Sequence, residues 1–243
     1  MSAPDRRELL RGLAGAATIA LAPGVTLHVF EAQARAPDQK VSAKTRWGML
    51  IDVGKCGDGC TACVEACKTE NGWGGGTRSR TDAQWIRALT VRDPKTKAAV
   101  TLPMMCQHCA NPPCVDVCPT GASFRRADGI VLVDKHICIG CRYCVMACPY
   151  GARSFVHEAV TDPKPHAPRG KGTVESCTLC VHRIDAGHEP ACAEACADRA
   201  GGAMLFGDLN DPDSEIAKRV VRYRTVKVRA DLGCDPGVAY RNL

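Results

Sequence analysis

The sequence predicts an α+β fold of short strands and short helices, and three observations carry that prediction. Sixteen of the seventeen cysteines in the 243 residues fall into four groups of four. Three of these groups follow a stretch with the β-branched, alternating character of a strand. Within the groups, the residues around the third and fourth cysteines, such as Val145-Met146-Ala147, suit a short helix. The result is a repeated strand–loop–helix unit. Aromatic residues make up only 5% of the chain, too few for an ordinary core.

The chain begins with Asp5-Arg6-Arg7-Glu8-Leu9-Leu10-Arg11, an apolar stretch from Gly12 to about Val25, and small-x-small sites at Ala32 to Ala36. A charged start, a short apolar segment and a cleavage-like end predict a signal peptide over 1–36, and the arginine pair points to twin-arginine export. The alternative is a frayed amphipathic N-terminus. The apolar stretch is short and rich in Gly and Ala for a membrane span, and no other run approaches one.

Residues 37–105 hold the first group, Cys56, Cys60, Cys63 and Cys67, entered by a strand over Trp47 to Val53. A Gly-rich loop from Gly72 to Thr77 and strands over Trp85 to Arg92 and Ala98 to Leu102 follow. Residues 106–160 hold the second group, Cys106, Cys109, Cys114 and Cys118, and the third, Cys138, Cys141, Cys144 and Cys148. Between them lies a turn at Ala127-Asp128-Gly129 and a strand over Ile130 to Val133. Residues 161–243 hold the fourth group, Cys177, Cys180, Cys192 and Cys196. It is preceded by an exposed loop, Asp162 to Thr173, which is either a solvated linker or a docking segment. Asp213 or Ser214 caps a helix through about Val221. Tyr223 to Arg229 reads as a strand, and Leu232 to Leu243 as a tail carrying the seventeenth cysteine, Cys234.

The spacing decides the chemistry. The third group is C-x2-C-x2-C-x3-C-P, the bacterial ferredoxin run. The second is C-x2-C-x4-C-x3-C-P. The first, C-x3-C-x2-C-x3-C, shares three cysteines with the radical S-adenosylmethionine pattern, but Cys67 offers a further ligand. The fourth, C-x2-C-x11-C-x3-C, would pass alone for a zinc knuckle. Sixteen thiolates suffice for four [4Fe–4S] clusters, and a protein built that way is a wire for single electrons. Four zinc sites in a zinc-stabilised interaction protein, or a disulfide framework, are the alternatives.

The formal charge of +6 does not mark a nucleic-acid binder. Taking away the four Arg and three acids of residues 1–36 leaves +5. Four clusters at about −2 each bring the mature protein near −3. Lys68, Arg125, Arg126, Lys135 and Arg142 lie near cysteines, where they either offset cluster charge or are solvated surface groups. His108, His136 and His182 also lie near cysteines, and structural or surface roles are expected for them. No haem-attachment, dinucleotide, P-loop or H-E-x-x-H motif is present, so no substrate site is expected.

The four groups, in this order, make residues 46–243 resemble the periplasmic four-cluster ferredoxin subunits of polysulfide, tetrathionate and dimethyl sulfoxide reductases and of the NrfC type. The segments TGASFRRADGIVLVDKHICIGCRYCVMACPYGARSF, HAPRGKGTVESCTLCVHR and MLFGDLNDPDSEIAKR resemble the DsrO subunits of the sulfite-reductase-associated Dsr membrane complex. The resemblance implies two ferredoxin-like modules with crossed ligation. Cys56, Cys60, Cys63 and Cys196 would hold cluster 1, and Cys177, Cys180, Cys192 and Cys67 cluster 2. Cys106, Cys109, Cys114 and Cys148 would hold cluster 3, and Cys138, Cys141, Cys144 and Cys118 cluster 4. The extra residue between Cys56 and Cys60 departs from the family's usual C-x2-C. Cys234 is expected to be a buried or incidental thiol. The resemblance further implies a membrane-integral NrfD-like (DsrP-like) quinone-reactive partner and a periplasmic haem c subunit, in dissimilatory sulfur metabolism. Alternatively, the partner is a periplasmic molybdopterin catalytic subunit.

Overall fold

The computed structural model describes residues 18–22, 25–28, 41–74, 81–199 and 201–243. Strands β1 (Thr18–Ala22) and β2 (Val25–His28) form an antiparallel hairpin within the expected leader. The Arg6-Arg7 pair and the small-x-small sites lie outside the described residues.

The central sheet has four strands in the order β10-β3-β12-β11. Strand β3 (Trp47–Asp52) alternates poorly because both faces are covered, and Met49, Leu50 and Ile51 are all buried. Antiparallel to it runs β10 (Met204–Asp208), with Met204 opposite Ile51. On its other side β12 (Val238–Arg241) runs parallel, with Tyr240 opposite Ile51. Strand β11 (Thr225–Val226) closes the edge.

Two expectations are corrected here. The tail is an inner strand of the main sheet, and Tyr240, fully buried, donates to the Pro103 carbonyl at 3.0 Å. The strand expected over Tyr223 to Arg229 shrinks to two residues, because Arg229 adopts φ 54° and starts a 3-10 turn over Ala230–Leu232.

Around this sheet lie three hairpins. Strands β4 (Ile86–Arg92) and β5 (Ala99–Met105) pair in full register. Strands β6 (Ser123–Arg125) and β7 (Val131–Val133) flank the predicted turn, and β8 (Arg153–Phe155) pairs with β9 (Val174–Ser176). The helices are short. Helix α1 (Ala62–Asn71) ends at Gly72, whose φ of 66° is the usual left-handed helix stop. Helices α2 (Pro113–Asp116) and α3 (Tyr143–Ala147) pack together, as do α1 and α5 (Ala191–Arg199). Helix α4 (Val181–Asp185) follows the fourth group's first pair. Helix α6 (Glu215–Arg222) is capped by Ser214, whose Oγ accepts from the Ala217 amide at 3.2 Å, and it buries Ile216 against the sheet.

The expected loop over Asp162 to Thr173 is mostly exposed, and it is anchored to the body. Arg169 donates to both carboxylate oxygens of Glu175, each at 2.9 Å, and to the Gly72 carbonyl at 2.6 Å. Glu175 is wholly buried, so this ion pair fixes the segment to the body. One main core runs through both halves of the chain and contains ten buried cysteines among its apolar side chains.

Candidate functional site

The four cysteine groups share a backbone device. The residue just before the second cysteine has positive φ each time: Gly59 at 68°, His108 at 43°, Gly140 at 69° and Leu179 at 54°. A left-handed residue there reverses the loop, so that the flanking thiols face one side. For His108 and Leu179 this conformation costs about 1 kcal/mol or more, a strain typical of binding loops. Gly140 has a second reason to be glycine, since a Cβ there would stand 2.1 Å from the Gly172 carbonyl oxygen.

The loops then bring thiols from distant segments together. Cys106, Cys109, Cys114 and Cys148 line a single small cavity. The helix packing explains this, because α2 carries Cys114 and α3 ends at Cys148. Cys56 and Cys63 both feel the Cys196 thiol, brought across by α5 against α1. Cys177 and Cys192 both feel Cys67 and Cys180. Cys118, Cys138, Cys141 and Cys148 are only half-buried, whereas Cys106, Cys109, Cys114, Cys177, Cys180 and Cys192 are buried.

Burial governs the thiols' acidity. It is the largest cause of the rise to about 12 at Cys63, Cys67, Cys106 and Cys109, and of the strong rise at Cys177 and Cys192. Such groups lose a proton only to a metal. Burial also opposes ionisation of Cys118, but the Ser123 amide and the Thr120 hydroxyl outweigh it and bring that thiol down to about 7.

The spacing of the sulfurs favours a large metal core. Tetrahedral zinc with bonds of about 2.3 Å needs sulfurs about 3.8 Å apart. Among the described residues, the only three potential ligands whose donor atoms all lie within 4.8 Å are Glu70, His166 and His182, and no cysteine set is that tight. All seventeen cysteines are unpaired, which removes the disulfide framework. The Glu70 group is satisfied internally. Glu70 takes His182 Nε2 at 2.7 Å and Arg183 at 3.2 Å, His166 Nε2 bonds the Glu70 carbonyl at 2.9 Å, and the two imidazoles stack with centroids 3.8 Å apart.

Donors surround the thiols. Trp73 Nε1 donates to Cys67 Sγ at 3.1 Å, and backbone amides reach Cys118, Cys148 and Cys177 at 3.3, 3.4 and 3.3 Å. Hydrogen bonds to sulfur stabilise the more negative, reduced state and raise the potential. Replacing Trp73 with Phe should therefore lower the midpoint potential of the cluster bound by Cys67, by roughly 40 mV if the bond is worth about 1 kcal/mol. A redox titration followed by electron paramagnetic resonance checks this, and an unchanged potential would refute it.

The charged and imidazole neighbours divide. Arg126 is held by Asp128 and Asp185 and serves the fold. Lys68 and Lys135 stand over Trp73 and Trp85, and Arg142 over Phe155. His108 is buried and accepts the Val131 amide through Nδ1 at 3.0 Å; burial drops its pKa to about 3, so it stays neutral. Cys234 is buried beside Cys109 and Tyr150. Sequence reasoning misses Trp73 and Arg153, since nothing local shows that either is buried against thiols.

Two family models described as 4Fe-4S dicluster domain match residues 55–122 and 98–209. The chain is 42% identical to the Hdr-like menaquinol oxidoreductase iron-sulfur subunit 1 of Archaeoglobus fulgidus, over 97% of this chain and 96% of that protein. It is 42% identical to a tetrathionate reductase subunit of Salmonella typhimurium, over 83% of this chain and 74% of that protein. Against protein NrfC of Escherichia coli it is 38% identical, over 81% and 83% of the two chains. Fold, thiols and matches define a ferredoxin-like iron–sulfur protein with two dicluster domains and four [4Fe–4S] clusters. The chain belongs to the family of iron–sulfur electron-transfer subunits of membrane-associated oxidoreductases.

Proposed function

We propose that this protein is an exported electron wire whose four clusters are held in two crossed pairs. The inner pair uses Cys106, Cys109, Cys114 with Cys148, and Cys138, Cys141, Cys144 with Cys118. The outer pair uses Cys56, Cys60, Cys63 with Cys196, and Cys177, Cys180, Cys192 with Cys67. The observation that carries this is the cavity lined jointly by Cys106, Cys109, Cys114 and Cys148. Bound clusters supply one-electron chemistry; the protein's own groups bind, shield and tune them. In this reading the chain relays electrons and acts on no substrate of its own.

Its partner in this reading is a membrane-integral NrfD-like (DsrP-like) subunit that reacts with quinone, alongside a periplasmic haem c subunit, in dissimilatory sulfur metabolism. The name of the Archaeoglobus relative, a menaquinol oxidoreductase subunit, supports a quinol-linked role. Among the described residues no helix is long and apolar enough to cross a membrane. In this reading attachment goes through partners. Ile137, Ile139, Tyr143 and Met146 stand exposed around the third group, beside its half-buried cysteines. That apolar surface suits contact with a membrane subunit where a cluster lies near the surface.

A second reading keeps the wire and ends it on a periplasmic molybdopterin subunit. The tetrathionate reductase and dimethyl sulfoxide reductase relatives favour it. Anaerobic purification of the native complex separates the two. We expect about sixteen irons per chain, haem c and a membrane subunit. Co-purifying molybdenum without haem would support the second reading, and zinc in place of iron would overturn both.

A further inference from the structure

Arg153 opens strand β8 and is buried, at 4% exposure. Its Nη1 donates to Ser123 Oγ at 2.8 Å, whereas Nε and Nη2 are buried and make no hydrogen bond of normal length and angle, and the guanidinium interacts with the Cys114 thiol. No carboxylate among the described residues forms an ion pair with it; the nearby Glu175 is occupied by Arg169. A buried guanidinium with two free donors is unfavourable unless an anion faces it. The cavity it lines is the one formed by Cys106, Cys109, Cys114 and Cys148. Its charge is felt by Cys114, Cys106, Cys144 and Cys148, so it reaches thiols of both inner sets. Elsewhere the buried donors to thiol sulfur are neutral, as with Trp73 and Asn71. Arg183, near Cys180, is already paired with Glu70 and Glu194.

We propose that Arg153 is the fixed counter-charge of the inner cluster pair, its free Nε–H and Nη2–H donating to the sulfurs of the cluster held by Cys106, Cys109, Cys114 and Cys148. Reduction adds one electron to a cluster that, counted with its four thiolates, is already anionic, and an adjacent cation with fixed donors favours that added charge. Arg153 therefore raises the potential of that cluster and, more weakly, of the cluster holding Cys144. The inner pair then holds electrons more firmly than it would without this charge. Ser123 sets the orientation of the guanidinium. This inference rests on the crossed ligation proposed above.

The test is a potentiometric titration of the holoprotein, followed by electron paramagnetic resonance, with iron per chain measured on every sample. In Arg153→Gln, two of the four midpoint potentials should fall. The larger fall should cut the reduced-to-oxidised ratio at fixed potential at least tenfold, which is about 59 mV for a one-electron couple. The other two potentials should not move, and Arg153→Lys should recover most of the loss. Ser123→Ala keeps the charge and loosens its aim, so it should shift the same two clusters less. Four unchanged potentials in fully loaded Arg153→Gln would overturn the proposal, as would an equal shift in all four. If Arg153→Gln does not load, unchanged potentials in loaded Ser123→Ala would overturn it. Wild-type protein without about sixteen irons would instead sink the four-cluster wire itself.

Discussion

Removing iron should abolish the cooperative fold of this protein. The main core is built partly of thiols: Cys63, Cys67, Cys106, Cys109, Cys114, Cys144, Cys177, Cys192 and Cys196 are buried in it, among Met49, Ile51, Trp85 and Ile130. Three of these sulfurs, with that of Cys148, line one small cavity. A thiolate metal site contributes on the order of 10 kcal/mol to folding. The whole net stability of a domain is about 5–15 kcal/mol. Losing even one site therefore removes a margin of that size, and losing four leaves a core with few aromatics to compensate. Any residual metal-free structure should weaken further as pH rises. Unfolded thiols ionise near 9, whereas burial holds Cys63, Cys67 and Cys106 protonated to about 12. The folded form thus keeps protons that the unfolded form sheds between those values, and its stability falls across that window. Circular dichroism melts of chelated and loaded protein check the expectation. A sharp, native-like transition in iron-free protein would refute it.

What is legible in the sequence is local. Cysteine spacing is set within a dozen residues, so the four groups, the short helices after them and the turn at Asp128-Gly129 can all be read directly. The Ser214 cap can be read because a side-chain oxygen, an acid in the next position and an apolar stripe lie together. Pairings across the chain cannot. Strand β12 reads as a tail because Val238–Arg241 is four residues long, and its partner Ile51 lies far upstream. The loop at Asp162 to Thr173 has a linker's composition, and only the buried Arg169–Glu175 pair shows it to be fixed. The same limit hides Arg153: an arginine just beyond a cysteine group looks like surface charge until its burial and missing partners are seen. The ferredoxin spacing of the third group points Cys148 to the other cluster of a pair, and the full set of crossed ligands comes from the family resemblance.

Substituting Cys148 with Ser should damage the cluster of the second group and spare that of the third. Sequence proximity suggests the opposite, because Cys148 lies four residues from Cys144 and thirty-four from Cys114. The geometry explains the inversion. Helix α3 carries Cys144 on its buried side and ends at Cys148, whose extended backbone turns its sulfur into the cavity of Cys106, Cys109 and Cys114. The short α2 has room for Cys114 but sends Cys118 out beyond its end, where the sulfur is held by the Ser123 amide. A serine oxygen is a harder, poorer ligand for iron than thiolate, so one corner of the core should be lost or its potential shifted. Cys148→Ser and Cys114→Ser should then perturb the same paramagnetic signal, while Cys118→Ser and Cys141→Ser perturb a different one. Each variant should lose between about one and four irons per chain, with the remaining signals intact. If Cys148→Ser instead matches Cys141→Ser, each inner group closes on its own fourth cysteine. The crossing would then fail, and with it the reason for both inner sets to share Arg153.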